Sequence, residues 1–180
     1  MRPTRKQPLF IVTGASCVGK STACEVLFGR EQDYIVLESD LLWRDFYNTP
    51  EDNYREYRKT WLNVCAGVSQ IDLPCVLCGC ATPEQFEPLE ERGLFSGIHY
   101  LAVVCTEEKL LERARSGRGV TDKGWLDSSL HFNRWLREHA ENTRPAIRLL
   151  DNTDLSAEQT AEKIDAWIRD MLQKQKSMVD

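Results

Sequence analysis

The chain has 180 residues, 42% of them hydrophobic and 28% charged, the composition of one ordinary globular domain with a full core. A net charge of −5 argues against a surface that coats nucleic acid. No apolar run approaches membrane-spanning length and the first, "LFIVT", is too short for a signal-peptide core, so a cytoplasmic protein without membrane contact is expected.

In chain order, five short and nearly continuous apolar runs read as strands: 9–13, 34–38, 75–78, 98–105 and 146–151. Runs of this kind belong to a parallel sheet covered on both faces. Helical patterns fill the intervals at 20–29, 41–47 with 53–69, 83–92, 107–116, 125–142 and 156–175. Thr82-Pro83-Glu84 and Ser156-Ala157-Glu158 carry cap, proline or acid where a first helical turn favours them. The alternation predicts an α/β layered domain spanning the whole chain. Seven cysteines, an odd number, fit a compartment that keeps thiols reduced. Cys75, Cys78 and Cys80 share one short run, and no second Cys pair or Cys/His cluster completes a tetrahedral metal site; they read as small buried hydrophobes with a loop thiol.

The stretch "GASCVGKS", 14–21, lies between the first strand and the first helix. Gly14 and Gly19 permit backbone angles and close approach that a side chain blocks. The main-chain amides of Ala15, Ser16, Cys17, Val18 and Gly19 can then form an anion nest at the positive end of the helix. Lys20 is expected to reach the β- and γ-phosphates, Ser21 to coordinate Mg²⁺, and Thr22 to hold the α-phosphate. This is the pattern of a nucleoside-triphosphate site. A GTPase would need Asn-Lys-x-Asp, and "DNTD" at 151–154 lacks the lysine; a motor ATPase would end its third strand on an acid, and "VLCGC" has none. The acids close the second strand instead, as Glu38 and Asp40. Ligands in such sheets bind at the carboxyl ends of strands, so both carboxylates should face the phosphates. One of them could hold Mg²⁺ and the other could orient an acceptor hydroxyl and take its proton.

Together "GASCVGKS", "ESD", "ERARSGRG" and "LLDNT" resemble the small P-loop kinases, the group of shikimate, gluconate and nucleoside kinases. The resemblance implies a three-layer α/β/α fold with a five-stranded parallel sheet of order 2-3-1-4-5. It also implies an acceptor-binding insertion at 41–70 and a mobile lid at 113–124. ATP and Mg²⁺ would be the cofactors, with Glu38 on the metal and Asp40 on the acceptor. The family pattern at strand two is Asp-x-Asp, from which Glu38 departs by one methylene. Within the lid, Arg113 and Arg118 are the foremost candidates to neutralise the transferred phosphoryl group, with Arg115 behind them, and Arg134 and Arg137 on the following helix could reach the same site. Asn152 and Thr153 would flank the adenine, mostly through backbone contacts, and Gly79 would approach the acceptor.

Trp43 and Arg44 follow Asp40 and are the candidate pocket lining, with Tyr47 beside them; Tyr54 and Tyr57 are weaker candidates, and Trp61 reads as core. His131 and His139 read as surface or capping residues. The expectation is transfer of the ATP γ-phosphate to a hydroxyl of a small molecule, whether nucleoside, sugar, antibiotic or hydroxy acid. A polynucleotide-end kinase and a non-catalytic ATP-binding module are the alternatives, and oligomeric state is left open.

Overall fold

A computed structural model describes residues 6–30 and 33–177, with the side chains at 118 and 176 outside that description. Five strands form one parallel sheet: β1 (Leu9–Thr13), β2 (Ile35–Glu38), β3 (Cys75–Cys78), β4 (Ile98–Val104) and β5 (Arg148–Asp151). Their spatial order is β2-β3-β1-β4-β5, the order the resemblance implied. Register is continuous through the centre, where Leu9 pairs with both Cys75 and Ile98. Five helices connect and cover the strands: α1 (Lys20–Phe28), α2 (Arg55–Val68), α3 (Glu107–Arg118), α4 (Lys123–His139) and α5 (Ala157–Ser177). Among the described residues no helix is long and apolar enough to cross a membrane.

The unbroken apolar strands divide their side chains between two cores, because successive residues of a strand face opposite sides. Leu9, Ile11, Cys75, Leu77, Tyr100 and Ala102 pack with Trp61, Leu62 and Phe86 on one face. Phe10, Val12, Val76, Cys78, Leu101 and Val103 pack with Leu27, Ile164 and Ile168 on the other. At roughly 25 cal/mol per Å² of apolar surface, this double burial is the dominant favourable contribution to folding.

Three expectations change. The 83–92 segment is not an α-helix: its capping box at Thr82 and Gln85 is present, but only 3₁₀ turns form, at Pro83–Gln85 and Glu90–Leu94. Pro88 accounts for this, since it lacks the N–H that would continue the helix. The 41–47 segment likewise forms 3₁₀ turns, Ser39–Leu42 and Asp45–Tyr47. The seven thiols are not all free, because Cys24 and Cys78 are joined as a disulfide. They lie 54 residues apart in sequence, and α1 lies over the sheet face that carries Cys78, a proximity no sequence spacing encodes. Cys75 is free and buried, as expected; Cys65 and Cys105 are also free and buried, while Cys80 is free and exposed.

Candidate functional site

The loop between β1 and α1 follows from its glycines. Gly14 takes φ 150°, and a Cβ there would overlap the Val103 carbonyl oxygen on β4. The loop therefore lies flat on the sheet end only because position 14 has no side chain. Lys20 opens α1 and is only 6% exposed; its ammonium donates to the Ala15 carbonyl at 2.8 Å, folding back across the loop. The Ser21 hydroxyl donates to the Glu38 carboxylate at 2.7 Å. Burial pushes the Glu38 carboxyl above its usual range, the Ser21 hydrogen bond and Lys20 oppose that, and the charge of Asp40 adds to it.

These groups line a cavity of about 380 Å³ that runs from Ser16 and Cys17 past Thr22 to Asn152. Asn152, only 2% exposed, donates from its amide to the Val18 carbonyl at 3.0 Å. Arg113 donates to the same carbonyl at 2.8 Å and to both oxygens of Asn152 at 3.0 Å. Arg113 and Asn152 thus brace the outer side of the glycine loop and wall the cavity. Leu155, Ala157 and Thr160, which the sequence reading missed, complete that wall. Their signal was present in the apolar and small positions at the start of the last helix.

Thr153 departs from expectation. Its hydroxyl donates to Asp151 at 2.6 Å and accepts from the Thr106 amide at 3.0 Å, so it ties two strand ends together and does not line the cavity. The expected lid at 113–124 is half helix: residues 113–118 complete α3, and Gly119, at φ 60°, ends it. Thr106 caps this helix by accepting from the Lys109 amide, and nothing in "EEKLLERAR" interrupts it. Gly119 to Asp122 are left as the loop before α4. The backbone of Arg118 closes α3, and its side chain lies outside the described residues. Arg115 is exposed on the same helix. Arg134 pairs with Glu107 and Arg137 with Asp151 at exposed positions, and neither lines this cavity.

Asp40 lines this cavity and also a second, larger one of about 900 Å³. Glu38 ends β2 and Asp40 sits in the following 3₁₀ turn, so the two acids do not share one extended strand. The turn is fixed from below: Tyr57 and Trp61 on α2 both donate to the Ser39 carbonyl. From the side it rests on Gly79, where a Cβ would overlap the Ser39 side chain. Gly79 lines the first cavity and supports the Asp40 turn.

The second cavity lies between that turn, α2, the loop after β3 and the first half of α4. Trp43 lines it as expected. Arg44 does not; it is exposed and donates to the neighbouring Trp43 carbonyl at 2.6 Å. The arginine in the cavity is Arg58, 6% exposed, donating to the Cys80 carbonyl at 2.7 Å, with its Nε lacking any hydrogen-bond partner. Burial lowers the Arg58 pKa from the ordinary guanidinium value, and nearby Tyr57, Cys80, Tyr54 and Asp40 oppose the shift. Trp125, Ser129, His131 and Phe132 from α4 close the far wall. Sequence reasoning missed Arg58 and this α4 face, because one charged residue on an amphipathic helix looks like any other. Ligand atoms of Cys24, Cys78 and Glu38 lie within 4.8 Å of one another, and the two sulfurs bond to each other.

No family model matches the chain, and no curated protein matches it. Solved structures do. A gluconokinase from Sinorhizobium meliloti superposes with TM-score 0.67 at 16% identity, over 98% of this chain and 99% of that one. A tunicamycin resistance protein from Deinococcus radiodurans gives 0.61 at 20% identity, over 91% and 96% of the two chains. A shikimate kinase from Aquifex aeolicus gives 0.51 at 16%, over 91% and 98%. The chain has the fold these proteins share, a five-stranded parallel sheet of order 2-3-1-4-5 with helices on both sides.

Proposed function

We propose that the protein is an ATP- and Mg²⁺-dependent phosphotransferase that moves the γ-phosphate of ATP to a hydroxyl of a small molecule. The observation that carries this reading is Asp40, which faces the phosphate-loop cavity on one side and a separate acceptor-sized cavity on the other. The likeness in fold to a gluconokinase, a shikimate kinase and a resistance protein supports it.

In the first cavity, the amides at 15–19 and the Lys20 ammonium hold the polyphosphate. The Ser21 hydroxyl and Glu38 carboxylate, 2.7 Å apart, are the hard oxygen donors that suit Mg²⁺, which when bound neutralises phosphate charge. Asp40 orients the acceptor hydroxyl and accepts its proton as the oxygen attacks the γ-phosphorus. The bond to the bridging oxygen breaks, and ADP leaves with that electron pair. Arg113 positions the glycine loop through the Val18 carbonyl; Arg118 is proposed as the arginine that meets the transferred group.

ATP consumption measured across nucleosides, sugars, hydroxy acids and aromatic alcohols tests the reading. Asp40→Asn is expected to lower kcat by about 10²–10⁴ while leaving ATP affinity unchanged. Lys20→Ala is expected to lower both. Full turnover by Asp40→Asn would remove Asp40 from the role of base.

A further inference from the structure

Sulfur and carboxylate ligands meet where α1 lies against the ends of β2 and β3. Glu38 and Cys78 are direct partners in the parallel pairing of these strands, so their side chains leave the sheet on the same face. Helix α1 packs over that face, where Cys24 joins the core that also holds Cys78. Ser21 stands three residues before Cys24, on the same side of α1, and donates to Glu38 at 2.7 Å. One ligand atom from each of Cys24, Cys78 and Glu38 lies within 4.8 Å of the others.

That spacing suits a metal ion of one kind. Zinc binds thiolate sulfur at about 2.3 Å and carboxylate oxygen at about 2.0–2.2 Å, so a tetrahedral ion sets its ligand atoms roughly 3.5–3.8 Å apart. Atoms already gathered within 4.8 Å reach this arrangement by small side-chain movements. Thiolates select zinc-like ions, whereas Mg²⁺ takes oxygen ligands, so sulfur separates this cluster from the Ser21–Glu38 pair. While the two sulfurs are bonded to each other neither is a thiolate, and the thiolate is the form that binds metal.

We propose that Cys24, Cys78 and Glu38 form a redox-gated site for a divalent cation of the zinc class, filled in the reduced chain and closed by the Cys24–Cys78 disulfide. Two electrons and two protons from a thiol reductant convert the disulfide to two thiols, and the reductant leaves as its own disulfide. The cation then displaces both thiol protons to solvent, forms two metal–sulfur bonds and takes the Glu38 carboxylate as third ligand. Glu38 lines the first cavity, which provides the entry path and a water for the fourth position. The Ser21 hydroxyl orients the carboxylate from outside the site. The inference goes beyond the phosphotransferase reading and does not rest on it, so failure of either leaves the other standing.

Co²⁺, a spectroscopic substitute for zinc, tests this on the full chain without nucleotide. In the chain reduced with a phosphine, it is expected to give thiolate-to-cobalt charge-transfer absorption and the intense visible bands of a tetrahedral ion. These should saturate at one ion per chain and bleach on addition of Zn²⁺. The disulfide-bonded chain, titrated without reductant, is expected to give neither. Cys24→Ala and Cys78→Ala should each weaken cobalt binding by more than about 100-fold, beyond what loss of an outer-shell partner costs. Cys80→Ser, at an exposed thiol outside the cluster, should leave it unchanged. Should both alanine variants fail to fold by circular dichroism, Glu38→Gln keeps both thiols and the side-chain shape, and is expected to weaken cobalt binding by about tenfold or more. Absence of thiolate-to-cobalt absorption in the reduced chain overturns the proposal, as does equal binding by the disulfide form. Loss of the bands in Cys80→Ser, or their persistence in every cluster variant that folds, overturns it as well.

Discussion

The two cavities that meet at Asp40 are built on different plans. The phosphate-loop cavity takes most of its chemistry from nine consecutive residues, and most of that chemistry is backbone, directed by glycines and a helix start. The acceptor cavity takes pieces of one to three residues from several segments, among them the Asp40 turn, α2, the loop after β3 and α4. A contiguous main-chain site is rigid and reads directly from its letters. A site assembled from side chains can change its ligand by changing one of them, and its letters are scattered among ordinary helix positions.

Each cavity depends on a glycine, and exchanging the two glycines for alanine breaks the comparison most sharply. Gly14→Ala places a Cβ against the Val103 carbonyl and forces a residue with a side chain to φ 150°, a strain of about 1–3 kcal/mol. Nucleotide affinity measured by calorimetry is expected to fall by about 10- to 100-fold. Gly79→Ala collides with Ser39 instead, so it should displace the Asp40 turn. Turnover is expected to fall by about tenfold and stability by about 1–3 kcal/mol, with nucleotide affinity much less affected. Loss of nucleotide binding by Gly79→Ala equal to that of Gly14→Ala would show the two cavities to be one unit.

A smaller effect sharpens the division. Tyr57→Phe removes one of the two donors to the Ser39 carbonyl and leaves Trp61 in place. Stability should drop by about 1 kcal/mol and kcat a few-fold, with ATP affinity constant. The smallest effect lies outside both cavities. His99 stacks on Phe10, and burial first, then the charge of Arg92, hold its pKa below the ordinary 6.5. Unfolding restores that ordinary value, so below pH 6.5 the unfolded chain takes up a proton that the folded chain resists. Stability is therefore intact above pH 6.5 and declines as pH falls below it. In urea melts, His99→Gln is expected to flatten this decline without altering either cavity.

Comparison of particular elements shows where reading the letters succeeded. β1 and β3 were found to the residue, because an apolar run bounded by turn residues has one sensible reading. The 83–92 segment misleads because it opens on a good helix start, while Pro88 inside it stops an α-helix from forming. Thr153 follows Asn152 in the loop the resemblance places at the adenine, but its hydroxyl is committed to Asp151 and Thr106. Arg44 attracts attention because it follows Asp40 closely in the chain, and nothing local marks Arg58. In the folded chain Arg44 is exposed, and Arg58, fourteen residues further on, is the arginine that lines the cavity.

The amino-acid order by itself determined the phosphate loop, the alternation of strands and helices and the carboxylates at the end of β2, since each is set by local backbone preference or by the period of apolar residues. Only the folded chain decided which arginine is buried without a counter-charge, that Cys24 meets Cys78, and that α4 walls the acceptor cavity. Those depend on which helix faces lie against each other, and helix packing is settled by the summed burial of many side chains and not by any short run of letters.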